Sequence, residues 1–427
     1  MNHIKFGILT AAAAFIGLST AQAETLAGAI QKALENSPES RSAELGALAA
    51  ELGATEAERE AKLPRATLSG STGTGFRDRS VEGIASDGDW LAARELRMTI
   101  TQPLFDGGSR WEKVKAAQAR AEAGQLNRQE EREAIALEVI EAYFGVLRSQ
   151  ELIRVARANL KNHEEVQGKL GDVAAAEGDN VDAALVAGRV GLAKSILTSR
   201  EVELRQAALR YQHFVGEPPT GLTVPKFASN VPKSEAEIDA SGNPSRKIAE
   251  LNAEAFAADA EAERRGHKLP RIDLQVRGGI GEDVQGISGE DNEFAALLVA
   301  SWDVFNPAKG AAVERLEALA AKGEADAEVA ELQATELAGS AFADLSGGRD
   351  QVEVLSTYVK ELDTVVEKYD DQFSVGRRSL LNVLDVRQEQ FRAQSALVDA
   401  SLLQRLSEYR LLSAQGQLLE QFEAGGE

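Results

Sequence analysis

Four histidines, His3, His163, His213 and His267, are the chain's only imidazoles, and they stand far apart. Metal sites take their histidines from short, regular spacings, so no metal site is read here. Gly70, Gly73 and Gly75 punctuate a run of small residues. A phosphate loop would need Lys-Ser or Lys-Thr after its glycines, and neither follows. There is no cysteine to act as a thiolate and no nucleophile elbow. The paired acids Glu130-Glu131 and Asp370-Asp371 read as solvated helix faces. The residue types that do chemistry are therefore not arranged to do any. No enzyme is expected, and no cofactor.

The chain must then be read for the elements it builds. Its formal net charge of −21 argues against nucleic acid. It is compatible with simple solubility or with an acidic surface that favours cations. Residues 1–23 read as an export signal. Lys5 is basic, Ile8 to Leu18 is apolar, and Ala21-Gln22-Ala23 is a small-x-small cleavage site. An exported chain without cysteine has no disulfides and no lipid-anchor thiol. No later run of 18 or more apolar residues predicts a membrane helix.

The tetrapeptide Lys62-Leu63-Pro64-Arg65 returns as Lys268-Leu269-Pro270-Arg271, 206 residues on. Pro38 with Pro244, Gly73 with Gly279 and Gly75 with Gly281 keep that offset. Such anchors mark a fused duplication. The first repeat is placed at 24–215, a linker at 216–243 and the second repeat at 244–427. Of ten prolines, Pro218, Pro219, Pro225, Pro232 and Pro244 crowd the linker and its end. None falls between Leu104 and Glu217, or after Pro307. Interior proline costs a helix about 3 kcal/mol, so these intervals are expected to be long helices. Leu384, Phe391, Val398 and Leu412 keep a heptad row, broken by Arg405. Ile135, Val139, Ile140, Tyr143, Phe144 and Leu147 form a stripe in the first half. Both suit coiled-coil packing.

Elsewhere the apolar period falls to two. Strands are expected at about 65–76, 95–105, 271–281 and 293–305, paired around polar loops from Arg77 to about Arg94 and from about Glu282 to Asn292. Alternating strands of this length suit an outer-membrane barrel or ordinary surface hairpins. Four strands are too few to close a conducting barrel, and open sheet edges are costly in lipid. Lipid contact would therefore oblige several chains to share one barrel.

In order along the chain, several segments resemble the TolC family of outer-membrane channels. They are Ala33-Leu34-Glu35-Asn36-Ser37-Pro38, Lys62 to Arg65, and Gln102-Pro103-Leu104-Phe105-Asp106-Gly107-Gly108. The last is Phe373-Ser374-Val375-Gly376-Arg377-Arg378-Ser379-Leu380-Leu381-Asn382-Val383-Leu384-Asp385. The resemblance covers the whole mature chain. It implies a mostly α fold with a small β part. Long antiparallel coiled-coil helices would form a periplasmic α-barrel. Four strands per chain would enter a trimeric twelve-stranded outer-membrane β-barrel, with the linker at the duct's belt. It also implies partners: two further copies, outer-membrane lipid, a periplasmic adaptor (membrane fusion protein), and an inner-membrane ABC or proton-driven transporter.

Carried over from the family, Asp385 matches one position of a carboxylate ring at the periplasmic entrance, and the second falls on Asn382. The basic residue that links neighbouring coils falls on Arg378, and its aromatic partner on Phe373, which lacks a hydroxyl. The linking acid of the first hairpin falls near Ala184, with Asp182 close by. Gly178 and Gly376 serve the two tip turns. The closing network thus departs from the family's pattern. Three copies of Asp385 near an axis would repel one another and attract cations.

The resemblance points first to the outer-membrane exit duct of type I protein secretion, on the strength of the Val375 to Asp385 segment. The alternative is the outer component of a multidrug or metal efflux pump. A periplasmic coiled-coil adaptor, from another class, would need one hairpin and a lipoyl-like domain. A purely structural coiled coil is disfavoured by the strands and the linker.

Overall fold

The computed structural model describes residues 24–75, 90–177, 180–229, 231–239, 242–284 and 289–423. The expected export signal, most of the first hairpin loop and Gly178 lie outside them. Helices α1 (Leu26–Asn36) and α2 (Pro38–Lys62) lead into strand β1 (Arg65–Gly75). Strand β2 (Leu91–Phe105), helix α3 (Ser109–Glu177) and helix α4 (Asn180–Val215) complete the first half. A linker with one 3-10 turn (Glu235–Glu237) leads to α5 (Pro244–Lys268), β3 (Arg271–Glu282), β4 (Glu290–Ser301), α6 (Pro307–Ser374) and α7 (Leu380–Ala414). A short α8 (Glu420–Glu423) follows.

The duplicated sequence anchors have local causes. Ser37 caps α2 by accepting from the Ser40 amide, and Asn243 caps α5 by accepting from Ser245, both at 3.0 Å. Pro38 and Pro244 follow at N1, where the missing amide proton costs nothing. At the other end, Leu63 and Leu269 adopt extended backbone. A residue before proline is excluded from the helical region. Lys-Leu-Pro-Arg is thus a helix stop and strand start, used twice. After β2, Gly107 and Gly108 take φ of +69° and +86°. A Cβ on Gly107 would lie 2.6 Å from the Leu269 side chain. Asp106 then accepts from the Gly108 and Arg110 amides, each at 3.0 Å, and so starts α3.

The strands form one antiparallel sheet in the order β1-β2-β3-β4. Its register places Leu68 opposite Met98, Leu96 opposite Ile280 and Gly278 opposite Phe294. One face therefore carries Leu68, Leu96, Met98, Ile100, Leu274, Val276, Ile280, Phe294 and Leu298. The other carries Thr67, Ser69, Glu95, Arg97, Thr99, Gln275, Arg277 and Glu293. On the apolar face Leu68 is 67% exposed, Phe294 81% and Leu298 71%. Among the described residues nothing pairs with the outer edges of β1 and β4. The fourth strand departs from expectation: it was read at 293–305 and runs Glu290–Ser301. The register explains the shift. Arg271, the first residue of β3, pairs with Ser301, so the ladder has no β3 residue to pair with 302–305. Trp302, Val304 and Phe305 instead form an exposed connection to Pro307. Similarly, β2 begins at Leu91 because Gly75 pairs with it.

With 69 and 68 residues, α3 and α6 are each about 100 Å long at 1.5 Å per residue. On α3 pack α2 from the strand side and α4 from the far end; α5 and α7 do the same on α6. Among the described residues no helix is long and apolar enough to cross a membrane. The main core sits midway along α3. There Val139, Ile140, Tyr143 and Phe144 meet Ile30 and Ala33 of α1, Tyr211 and Val215 of α4, and Tyr409 and Leu412 of α7. The linker straps this level. Tyr143 Oη lies 2.8 Å from the Glu24 carbonyl oxygen and 2.7 Å from that of Thr223. Glu408 accepts from the Ala228 amide at 3.0 Å.

Candidate functional site

The end of the molecule far from the sheet brings together most of the residues singled out in the sequence. Helix α6 stops at Ser374, and α7 starts at Leu380. Gly376 turns the chain at φ +72°, with its amide on the Phe373 carbonyl at 3.0 Å and the Arg377 amide on Gln372 at 2.8 Å. Only glycine takes this left-handed conformation without strain. Ser379 caps α7 by accepting from the Asn382 amide at 3.4 Å, and its hydroxyl bonds the Asn382 side chain. Asn382 is thereby committed to its own helix start.

Arg378 is also used within its hairpin. Its Nε donates to Gln372 at 3.1 Å, and its guanidinium lies 4.0 Å from the Tyr369 ring centroid. Phe373 packs against Val166, Val186, Val190, Leu380 and Leu384. This cluster seats the tip of the second hairpin on the first. Asp182 is exposed in the first turn of α4, where a helix N-terminus favours an acid. Ala184 is exposed one half-turn further on. Gly178 lies outside the described residues.

Asp385 is the member of this group whose side chain reaches the other hairpin by an ion pair. Its carboxylate accepts from Arg189 Nη2 of α4 at 2.9 Å. Two residues on, Arg387 is buried and paired with Asp370 of α6. Beneath both lies His163 of α3, 1% exposed, with no partner for Nδ1. Burial lowers the pKa of His163, and the charges of Arg387 and Arg189 lower it further, so the imidazole is held neutral. Arg189 and Arg387 do not figure in the sequence reading, and His163 figures there only as one of four scattered histidines. Their signal was a polar residue inside an apolar stripe: His163 between Leu160 and Val166, Arg189 between Val186 and Val190, Arg387 between Leu384 and Phe391.

Among the described residues the tip offers charge and hydrogen bonds but no activated nucleophile. The five members Phe373, Gly376, Arg378, Asn382 and Asp385 stand within one turn-and-helix unit. Of these, Phe373 and Asp385 contact the first hairpin.

Comparison with known proteins gives a consistent picture. The family described as "Outer membrane efflux protein" matches residues 29–168 and 240–417. The outer membrane efflux protein BepC of Brucella suis biovar 1 (strain 1330) is 22% identical over 404 residues, 93% of this chain and 86% of BepC. Among solved structures, CusC superposes with a TM-score of 0.79 at 17% identity, covering 91% of each chain. VceC of Vibrio cholerae also gives 0.79, at 16% identity, covering 92% of this chain and 96% of that one. MtrE of Neisseria gonorrhoeae, solved in its open state, gives 0.76 at 20% identity, covering 92% and 89%. At these identities the structural likeness establishes the fold.

Proposed function

Because the chain belongs to the outer membrane efflux protein family, we propose that three copies form the exit duct of a tripartite export assembly, whose first-choice cargo is secreted protein. The chain is an outer-membrane protein extending into the periplasm, and it is a transport duct rather than an enzyme. The observation that carries the duct reading is the sheet. It has one apolar face, one polar face and two open edges. Backbone groups left unpaired in lipid cost several kcal/mol each. β1 and β4 run in opposite directions, so β4 of one copy can pair antiparallel with β1 of the next. Three copies give twelve strands and no edge. The polar face with Arg97, Glu95 and Arg277 would line the lumen, and the apolar face would meet lipid.

The helices continue the tube. At about 100 Å, α3 and α6 suit a duct across the periplasm, whose tip would meet an adaptor and an inner-membrane pump. At that tip Asp385, Asn382, Arg378, Phe373 and Asp182 would form the entrance. Asp385 lies on an exposed stretch of α7 with Leu381 and Asn382.

The cargo assignment rests on the tip segment Val375 to Asp385, which resembles channels of type I secretion. The second reading, the outer-membrane component of a multidrug or metal efflux pump, is favoured by the word efflux in the name of BepC. Deleting the gene and comparing secreted proteins with drug sensitivity separates the two. Loss of one or a few secreted proteins is expected. An unchanged secretome with a sharp rise in drug sensitivity would reverse the assignment.

A further inference from the structure

We propose that Arg189 is the built-in counter-charge of the entrance carboxylate, so that Arg189 sets how strongly this duct binds cations. The inference rests on the reading that Asp385 faces the entrance, and goes beyond it by assigning a role to a residue of the other hairpin. Three bare carboxylates around a narrow axis would make a strongly cation-binding ring. The geometry here is different. Each Asp385 has a guanidinium 2.9 Å away, from a helix 196 residues distant in sequence.

The pair is asymmetric. The Asp385 side chain is 58% exposed and that of Arg189 25%. Arg189 stands between Val186 and Val190, both buried in the α3/α4/α7 cluster, so its stem is held. Arg387, two residues on along α7, is paired with Asp370. Among the described residues, Asp385 is the acid that Arg189 pairs with and Arg189 the base that Asp385 pairs with. Such an exposed pair adds at most about 1 kcal/mol to stability. Its consequence is for the field: each chain presents a dipole where a bare carboxylate would present a full negative charge. The neutralisation also depends on the tip of α4 staying within ion-pair reach of α7. Any movement that parts the two hairpins would bare the carboxylate, so cation affinity becomes a property of the tip's conformation.

The test is block of the reconstituted full-length channel in planar bilayers, with lanthanum(III) added on the tip side. Arg189→Gln, Arg189→Lys, Asp385→Asn and the Arg189→Gln/Asp385→Asn double variant are compared. Unblocked conductance and oligomer size serve as controls for folding. Arg189→Gln should lower the blocking concentration by about tenfold, as expected when a charge loses its counter-ion at close range. Arg189→Lys should resemble the wild type. Asp385→Asn should weaken block, and the double variant should behave like Asp385→Asn. If Asp385→Asn alters block and Arg189→Gln does not, the counter-charge role fails while the entrance reading stands. If neither alters block, Asp385 is not at the entrance and both readings fall.

Discussion

Glu133 of α3 is 5% exposed, and one of its carboxylate oxygens has no partner. Burial, with Glu420 and Glu130 nearby, pushes its pKa up to about 7, against the pull of the Leu418 amide and Gln129. The folded chain therefore binds a proton that the unfolded chain has released. The stability this contributes is full below the ordinary value of 4.5 and is lost as pH rises through about 7. Glu133→Gln keeps the shape and removes the titration. It should leave stability unchanged near pH 4.5 and raise it above pH 7, by on the order of 3 kcal/mol per chain from the size of the shift. Calorimetric melting between pH 5 and 8.5 checks this. A variant with the wild-type slope would refute it. His163 acts with the opposite sign. Its depressed pKa means that protons favour the unfolded chain, so its contribution is lost as pH falls below its ordinary 6.5.

Helices in this chain meet through small residues. Gly323 of α6 faces Ala253 of α5 so closely that an added Cβ would lie 2.8 Å from the Ala253 Cβ and 2.9 Å from its Cα. Backbone cannot yield as a side chain can. Gly323→Ala should therefore lower stability by roughly 1–3 kcal/mol through overpacking. Gly339, on the same helix, has nothing within 4 Å of its added Cβ. Gly339→Ala should raise stability by about 0.5–1 kcal/mol, the helix-propensity difference. Paired thermal melts of the two variants decide whether close approach or propensity governs α6. The heptad row of α7 follows the same logic of contact. Leu384, Phe391 and Leu412 are buried. Arg405, which breaks the row, donates to the Pro225 carbonyl and lies 4.2 Å from the Phe227 ring centroid. The break marks where the linker crosses the coil.

The proposed duct would depend on two separate closures. One is the strap of residues 216–243 around the middle of the long helices. Lys32 joins it there by bridging Glu24 at 3.0 Å and Glu217 at 2.9 Å. The other closure would be between copies, along the outer edges of β1 and β4. The prediction is a detergent-extracted particle of three chains that resists dodecyl sulfate until heated. Sedimentation with detergent mass subtracted gives the stoichiometry. A soluble periplasmic monomer would refute the shared barrel.

What was legible in the chain alone was whatever depends on neighbours in sequence. Proline at N1, the Lys-Leu-Pro-Arg helix stop, the period of two in the strands and the long proline-free helices all act within a few residues. The family resemblance added the overall arrangement on the same local segments. What only the fold decides lies between residues on different helices or in the linker. Arg189 meets Asp385, Arg387 meets Asp370, and Arg405 meets the linker. Periodicity says which face of a helix is buried but not the height at which two helices cross. That height is fixed by strand register, turn length and the strap at the belt acting together, and it selects which charge finds which partner.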